Sequence, residues 1–384
     1  MDGNTGYYDT GICDLAAFKA IIDRQLRGDD VPYAAQIDKN VPVYDIAQLD
    51  PVLTDPIRRP ALLAEWAAVL GQTAGVLVLQ GAYPDTAPVD AATAAFHAMI
   101  AAEADHGAAD HFAAAGNNAR VWNSAQKLCL ADPATFAAYH GNTAIAAVCE
   151  AWLGPAYQVT AQVNLVRPGG QAQTAHRDYH LGFLTAAKAA RFPAHVHALT
   201  AALTLQGAVA HTDMPIESGP TKLLPFSQTY GPGYLACHDP AFRALFEDRC
   251  VQLPLEKGDA LFFNPALFHG AGANTTSDIQ RLANLLQVSS AFGRAMESMD
   301  RVAMAKALYP VLCGDHGLGS ARVDAAIAAS AEGYAFPTNI DTDPPVGGLA
   351  PQSQADLMRQ ALAEGWTFAA FSDALDSCQA KRVP

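Results

Sequence analysis

The chain has 384 residues, 51% of them hydrophobic and only 16% charged, which is enough for a large buried core. A formal net charge of −14 disfavours contact with a phosphate backbone, so nucleic acid is excluded as an expected partner, and an anionic ligand needs a local positive pocket. No apolar run approaches the roughly 18 residues of a membrane span, and the first residues show no basic segment leading into an apolar one; no membrane partner is expected, and the chain reads as cytoplasmic.

The first part, 1–156, reads as mostly helical. Asp14 is placed to cap a helix reaching about Arg27, and a second helix is predicted over 57–70. GVLVLQG at 75–81 reads as a short buried strand between glycines. The alanine-rich stretches 88–104 and 143–153 are predicted helices, the second with Asn142 as N-cap and Gly154 as its stop. The texture changes near Tyr157, where YQVTAQVNLVRPGG alternates like a strand and ends in a Pro-Gly-Gly turn. From there to about Phe292 run short β-like segments: AHRDYHLGF, HVHALTAALTLQGAV, SGPTKLLPF, VQLPLEKGDALFF and RLANLLQVSS. Such a series suggests a sandwich or barrel. After Gly293 helices are predicted at 294–308, 322–332, 352–364 and 366–376, with an irregular stretch around Pro337, Pro344 and Pro345. The chain thus reads as one elaborated domain, 1–384. It has a helical first part with one core strand, a β core over 157–292 and a helical extension over 293–384. Seven dispersed cysteines without a C-x-x-C pair fit free thiols in a reducing compartment.

Within the β core, His176 and Asp178 stand two apart and His269 follows far downstream, just after ALFFNPALF. Residues i and i+2 of a strand face the same way, so the first two would project together. Two imidazoles and a carboxylate suit one face of an octahedral Fe(II), with the other positions open, and the lack of a nearby cysteine argues against structural zinc. The tripeptide H-x-D is common by itself; the ordered set is more specific than its parts. His180 shares the expected face and reads as a pocket residue, an alternative ligand or a neighbour of the ligands.

Twelve positions past His269 stands Arg281, opening the run RLANLLQVSS. A buried guanidinium needs an anion, and its fork matches a carboxylate; beside an iron triad the natural candidate is the distal carboxylate of 2-oxoglutarate. Thr275 is a candidate for a further hydroxyl contact to that cosubstrate, or simply a turn residue. Gln162 and Asn164 share one face of the 157–166 strand, opposite the apolar Val159, Ala161, Val163 and Leu165. If that polar face lies inside, Gln162 and Asn164 are candidate substrate contacts, as are Gln173 and His180.

AHRDYHLGF, ESGPTKLLPFSQ, KGDALFFNPALFHGAGAN and Arg281 together resemble the phytanoyl-CoA dioxygenase family of Fe(II)/2-oxoglutarate-dependent oxygenases, over roughly 75 to 290. The resemblance implies a mainly β core, a double-stranded β-helix (jelly roll, cupin-like) flanked by N- and C-terminal α-helices. It implies His176, Asp178 and His269 as iron ligands, Arg281 as the 2-oxoglutarate anchor, and Fe(II), 2-oxoglutarate and O₂ as cofactor and cosubstrates. The activity implied is hydroxylation of a small organic metabolite, with 2-oxoglutarate converted to succinate and CO₂. Halogenating relatives lack the carboxylate, so Asp178 points to hydroxylation. The chain departs from the family where Ser218-Gly219 replaces Asn-Gly and Pro225-Phe226-Ser227-Gln228 replaces Pro-Gly-Ser-His. Two other readings stand beside this one: a cupin-like metalloenzyme of isomerase type that does not use 2-oxoglutarate, and a non-catalytic jelly-roll protein that binds or senses metal. The oligomeric state is open, a homodimer included.

Overall fold

A computed structural model describes residues 6–104 and 118–382; residues 1–5, 105–117 and 383–384, in the first and last of the three expected parts, lie outside it. Ten strands follow one another as β1 (Gln36–Asp38), β2 (Val41–Asp45), β3 (Val76–Gln80), β4 (Asn118–Val121), β5 (Gln158–Val166), β6 (Thr204–Ala210), β7 (Lys222–Leu224), β8 (Ala260–Phe263), β9 (Phe268–Gly270) and β10 (Arg281–Ser289). Eight of them make one large mixed sheet in the order β1-β2-β3-β8-β6-β10-β5-β4, and β7 pairs with β9 in a small one. Among the described residues only β2 and β3 pair in parallel. Isolated bridges widen the small sheet, His176 to His269 on one side and Leu223 to Val251 on the other. From β5 onward the chain alternates between sheets, in the order large, small, large, small, small, large, small, large.

The first part contributes four strands, where one was expected. β1 and β4 are short edge strands and β2 contains a proline, so none carries the apolar run that marks β3. The segment HVHALTAALTLQGAV is not all strand: Pro193 starts a helix over Ala194–Ala202, and only then does β6 begin. Helices Ile46–Leu53, Ser124–Ala131 and Pro133–His140 were also not anticipated. The Asn142 cap is present, its side chain accepting from the Ile145 amide. Asp14 caps a helix that ends early, at Ile22, since the chain turns for the Leu26 amide to donate to Asn40 Oδ1. The expected 57–70 helix runs Arg59–Gln72, with Pro60 in its first turn. In the last part the first helix starts only at Arg301, where Asp300 caps it, and the others run Ser320–Ser330, Gln354–Glu364 and Phe368–Arg382. Among the described residues no helix is long and apolar enough to cross a membrane.

The two faces of the large sheet differ in chemistry. One face carries Val159, Ala161, Val163 and Leu165 of β5 opposite Val288, Leu286, Asn284 and Leu282 of β10, then Leu205, Gly207 and Val209 of β6. Helices cover it. Trp152 Nε1 donates to the Thr204 carbonyl, and Asn284 is held between Ser124 and Tyr139. Gly207 leaves room for a ring, because a Cβ there would stand 2.5 Å from Phe262. The other face carries Gln162, Asn164, Arg281, Ala283, Leu285, Gln206 and Phe263, all in register with one another. This second face looks toward the small sheet.

Candidate metal centre

Two backbone devices bring His176, Asp178 and His269 together. The amide of His176 donates to the His269 carbonyl at 3.0 Å and the amide of His269 donates to the His176 carbonyl at 3.2 Å, so the two histidines sit directly opposite each other. The Asp178 amide then donates to the Pro265 carbonyl at 3.0 Å, which keeps its side chain beside the pair. Candidate ligand atoms of the three residues lie within 4.8 Å of one another. His176 Nε2 is 3.7 Å from Asp178 Oδ1 and His269 Nε2 is 3.5 Å from Asp178 Oδ2.

The outer nitrogens set the tautomers. His176 Nδ1 lies 2.8 Å from the Thr174 carbonyl and His269 Nδ1 lies 2.9 Å from the Leu267 carbonyl. A carbonyl only accepts, so each Nδ1 carries the proton and each Nε2 turns a lone pair toward the carboxylate. Two lone pairs facing a carboxylate repel one another unless a cation lies between them, and that arrangement suits a divalent metal. Burial, and then the neighbouring His269, hold His176 below the usual imidazole range. Burial alone would push the Asp178 carboxyl up; with no metal between them, a proton on His269 Nε2 and the charges of the protonated imidazoles would take the cation's place and, with the Gln206 amide, hold it well below the usual carboxylate range. Gln206 Nε2 donates to Asp178 Oδ2 at 2.6 Å, and the Phe263 ring lies 4.6 Å from that of His269.

Arg281 opens β10 and is 6% exposed. Its Nη1 donates to the Ser218 carbonyl at 3.0 Å, and among the described residues no carboxylate pairs with it. Burial lowers its pKa to about 10, so it stays a cation at neutral pH. It shares the inner face with a set of unsatisfied polar atoms. Gln162 Nε2, Asn164 Oδ1 and Gln206 Oε1 are buried there without a hydrogen-bond partner; the Tyr179 hydroxyl is also buried and unpaired, with Asp178 and Glu297 acting on it. Buried polar atoms are normally paired, so this row is shaped for a polar ligand.

The remaining candidates are placed differently. AHRDYHLGF is not a regular strand: after Asp178 both Tyr179 (φ 63°) and His180 (φ 41°) take left-handed backbone. His180 therefore leaves the face of His176 and Asp178, and its Nδ1 lies 2.6 Å from Thr200 Oγ1. Gln173 Oε1 accepts from the Ala271 amide, so its side chain serves the ladder beside β9. Thr275 is exposed and its hydroxyl donates to the Glu217 carbonyl, a bond within the turn. Gln206 and Phe263 were missed. The signal for Gln206 was a single amide inside the apolar run LTLQGAV; nothing local marked Phe263.

The model of the family described as Phytanoyl-CoA dioxygenase (PhyH) matches residues 71–283, more than half of the chain. The dioxygenase trt7 of Aspergillus terreus (strain NIH 2624 / FGSC A1156) is 33% identical over 114 residues, covering 30% of this chain and 34% of its own. The dioxygenase andF of Emericella variicolor is 27% identical over 139 residues, covering 35% of this chain and 43% of its own. The matches thus span less than half the length of these curated relatives. A solved structure, that of the non-heme alpha ketoglutarate dependent epimerase SnoN from nogalamycin biosynthesis, is similar with a TM-score of 0.44 and 23% identity, over 60% of this chain and 82% of that one.

Proposed function

The chain belongs to the phytanoyl-CoA dioxygenase family, and from that premise we propose that it is an Fe(II)- and 2-oxoglutarate-dependent dioxygenase hydroxylating a small organic metabolite. The observation that carries the reading is the pair of Nδ1–H···O=C bonds that aim both histidine lone pairs at Asp178. His176, Asp178 and His269 would hold the iron. Bound there with 2-oxoglutarate and O₂, iron would supply the oxidising chemistry that hydroxylates a C–H bond, with 2-oxoglutarate converted to succinate and CO₂.

The protein's own part is to orient and to exclude water. Gln206 fixes the Asp178 carboxylate, and Phe263 gives the His269 side an apolar wall. Arg281, buried and without an acidic partner, would pair with the distal carboxylate of 2-oxoglutarate. A buried guanidinium on the inner face supports this reading over a cupin-like isomerase that needs no 2-oxoglutarate, or a metal sensor without turnover. Gln162, Asn164 and Tyr179 then offer their unpaired atoms to cosubstrate or substrate. Asp178 would give the metal the carboxylate that halogenating relatives lack, which favours hydroxylation over halogenation.

The alternation of strands supports reading the fold as a double-stranded β-helix. Its large sheet is β5-β10-β6-β8 extended by β1 to β4 at the edges. Its small sheet is the His176 segment, β9, β7 and the Val251 segment.

The test is succinate release from 2-oxoglutarate by the full chain with Fe(II), with and without a panel of metabolites. Wild type releases succinate even without substrate, and Asp178→Ala abolishes it. Wild-type turnover by Asp178→Ala would overturn the assignment.

A further inference from the structure

We propose a second binding pocket, on the side of the 176–178 segment away from the metal ligands, that takes a small oxyanion also bearing hydroxyl, with Arg177 as its cation. The pocket does not rest on the iron assignment.

Arg177 lies between two candidate ligands and projects the opposite way. It is 2% exposed. One terminal nitrogen donates to the carbonyls of Ser227 at 2.6 Å and Tyr230 at 3.0 Å, and the rings of Tyr234 and Phe268 lie 5.1 and 5.2 Å from its Cζ. A Cβ on Gly233 would fall 1.9 Å from that Cζ, so the turn leaves the guanidinium its space. Its hydrogen-bond partners are carbonyls, and among the described residues no carboxylate pairs with it. A buried cation lacking a counter-charge calls for an anion.

A cavity of about 330 Å³ adjoins it, lined among others by Tyr8, Trp152, Arg177, His197, Gln228 and Tyr230. Water occupies about 30 Å³ in the liquid, so there is ample room for a small organic acid. Three of these residues hold a buried polar atom without a partner: Nε of Arg177, Oε1 of Gln228 and Nδ1 of His197. His197 Nε2 bonds the Ala189 carbonyl at 3.1 Å, so its proton is there and Nδ1 is an acceptor. Gln228 spends its Nε2 on the Thr73 carbonyl at 2.9 Å, which leaves an acceptor as well. The set is therefore one cationic donor and two acceptors. A bare anion satisfies only the first. A monohydroxy acid or hydrogen phosphate, with O⁻ and one O–H, satisfies the donor and one of the acceptors, and dihydrogen phosphate, with two O–H groups, satisfies all three.

The test is calorimetric titration of the full chain carrying Arg281→Leu, which removes the other buried guanidinium, with inorganic phosphate, lactate and propionate against chloride. Saturable binding of phosphate or of lactate is expected, and the preferred one identifies the source. Ala198→Trp, at an exposed lining position on the helix Ala194–Ala202, should weaken that binding at least tenfold. Arg177→Met should do the same, and Ala198→Trp decides alone if that variant fails to fold. Propionate, lacking the hydroxyl, should bind at least tenfold more weakly than lactate where lactate binds. No saturable binding, binding unchanged in Ala198→Trp, or propionate equal to lactate would overturn the proposal.

Discussion

Gln206→Met separates a residue that serves the metal from one that serves the core. In the native chain Gln206 Nε2 donates to Asp178 Oδ2 at 2.6 Å, while its Oε1 is buried without a partner. A hydrogen bond to a charged group contributes about 1.5–3 kcal/mol, and an unpaired buried oxygen costs about 1–3 kcal/mol. Methionine has a similar length and apolar character, so it fills the space without either polar atom. The two terms then nearly cancel in the metal-free protein, and its stability should change by less than about 1 kcal/mol. They do not cancel in the metal complex, where the freed carboxylate must be reoriented at each binding event. Losing such a support costs about 10–100-fold in metal affinity. The measurement is cobalt or zinc affinity by competition with a chelator, next to urea unfolding of the metal-free chain. Native affinity in Gln206→Met would refute the reasoning. So would a loss of more than about 3 kcal/mol in the metal-free protein, which would make Gln206 a core residue.

Arg281→Leu removes the proposed anchor while leaving the three ligands intact. Breaking one side of a buried charge pair costs about 2–5 kcal/mol, so KM for 2-oxoglutarate should rise at least about thirtyfold, read as succinate release, with metal affinity unchanged; an unchanged KM would sink the anchor role. His211 gives a pH dependence remote from the metal. It is buried between Thr93 and Tyr139, and burial lowers its pKa from 6.5 to about 3. A base whose folded pKa is depressed favours the unfolded state once it can take up a proton. The stabilisation is thus complete above about pH 6.5 and is lost as pH falls toward 3, by at most about 1.4 kcal/mol per pH unit. Buried His140 acts in the same direction, also near 3. Urea midpoints between pH 7.5 and 5 in excess chelator should therefore fall in the wild type, and His211→Gln should shed about one proton of that slope. An identical slope in the variant would show that His211 titrates normally.

What sequence alone could determine here was local. The i, i+2 relation of His176 and Asp178, the polar and apolar faces of 158–166 and the Asn142 cap are properties of neighbouring residues, and each is present in the fold. Motif order added His269 and Arg281, since the residues between them carry recognisable turns. Local reading failed where one segment obeys another. The 194–202 stretch and 204–210 look alike in composition, yet Pro193 starts a helix and only the second part finds strand partners, β8 and β10. His180 leaves the ligand face because Tyr179 and His180 turn left-handed, which no alternation pattern encodes. Only the tertiary structure decided what surrounds the ligands. Gln206 reaches Asp178 from 28 residues away and Phe263 meets His269 from a different sheet. The tautomers follow from carbonyls whose direction depends on the pairing of His176 with His269. Such pairings follow from which edges and faces can be buried together, a property of the whole chain and not of any window in it.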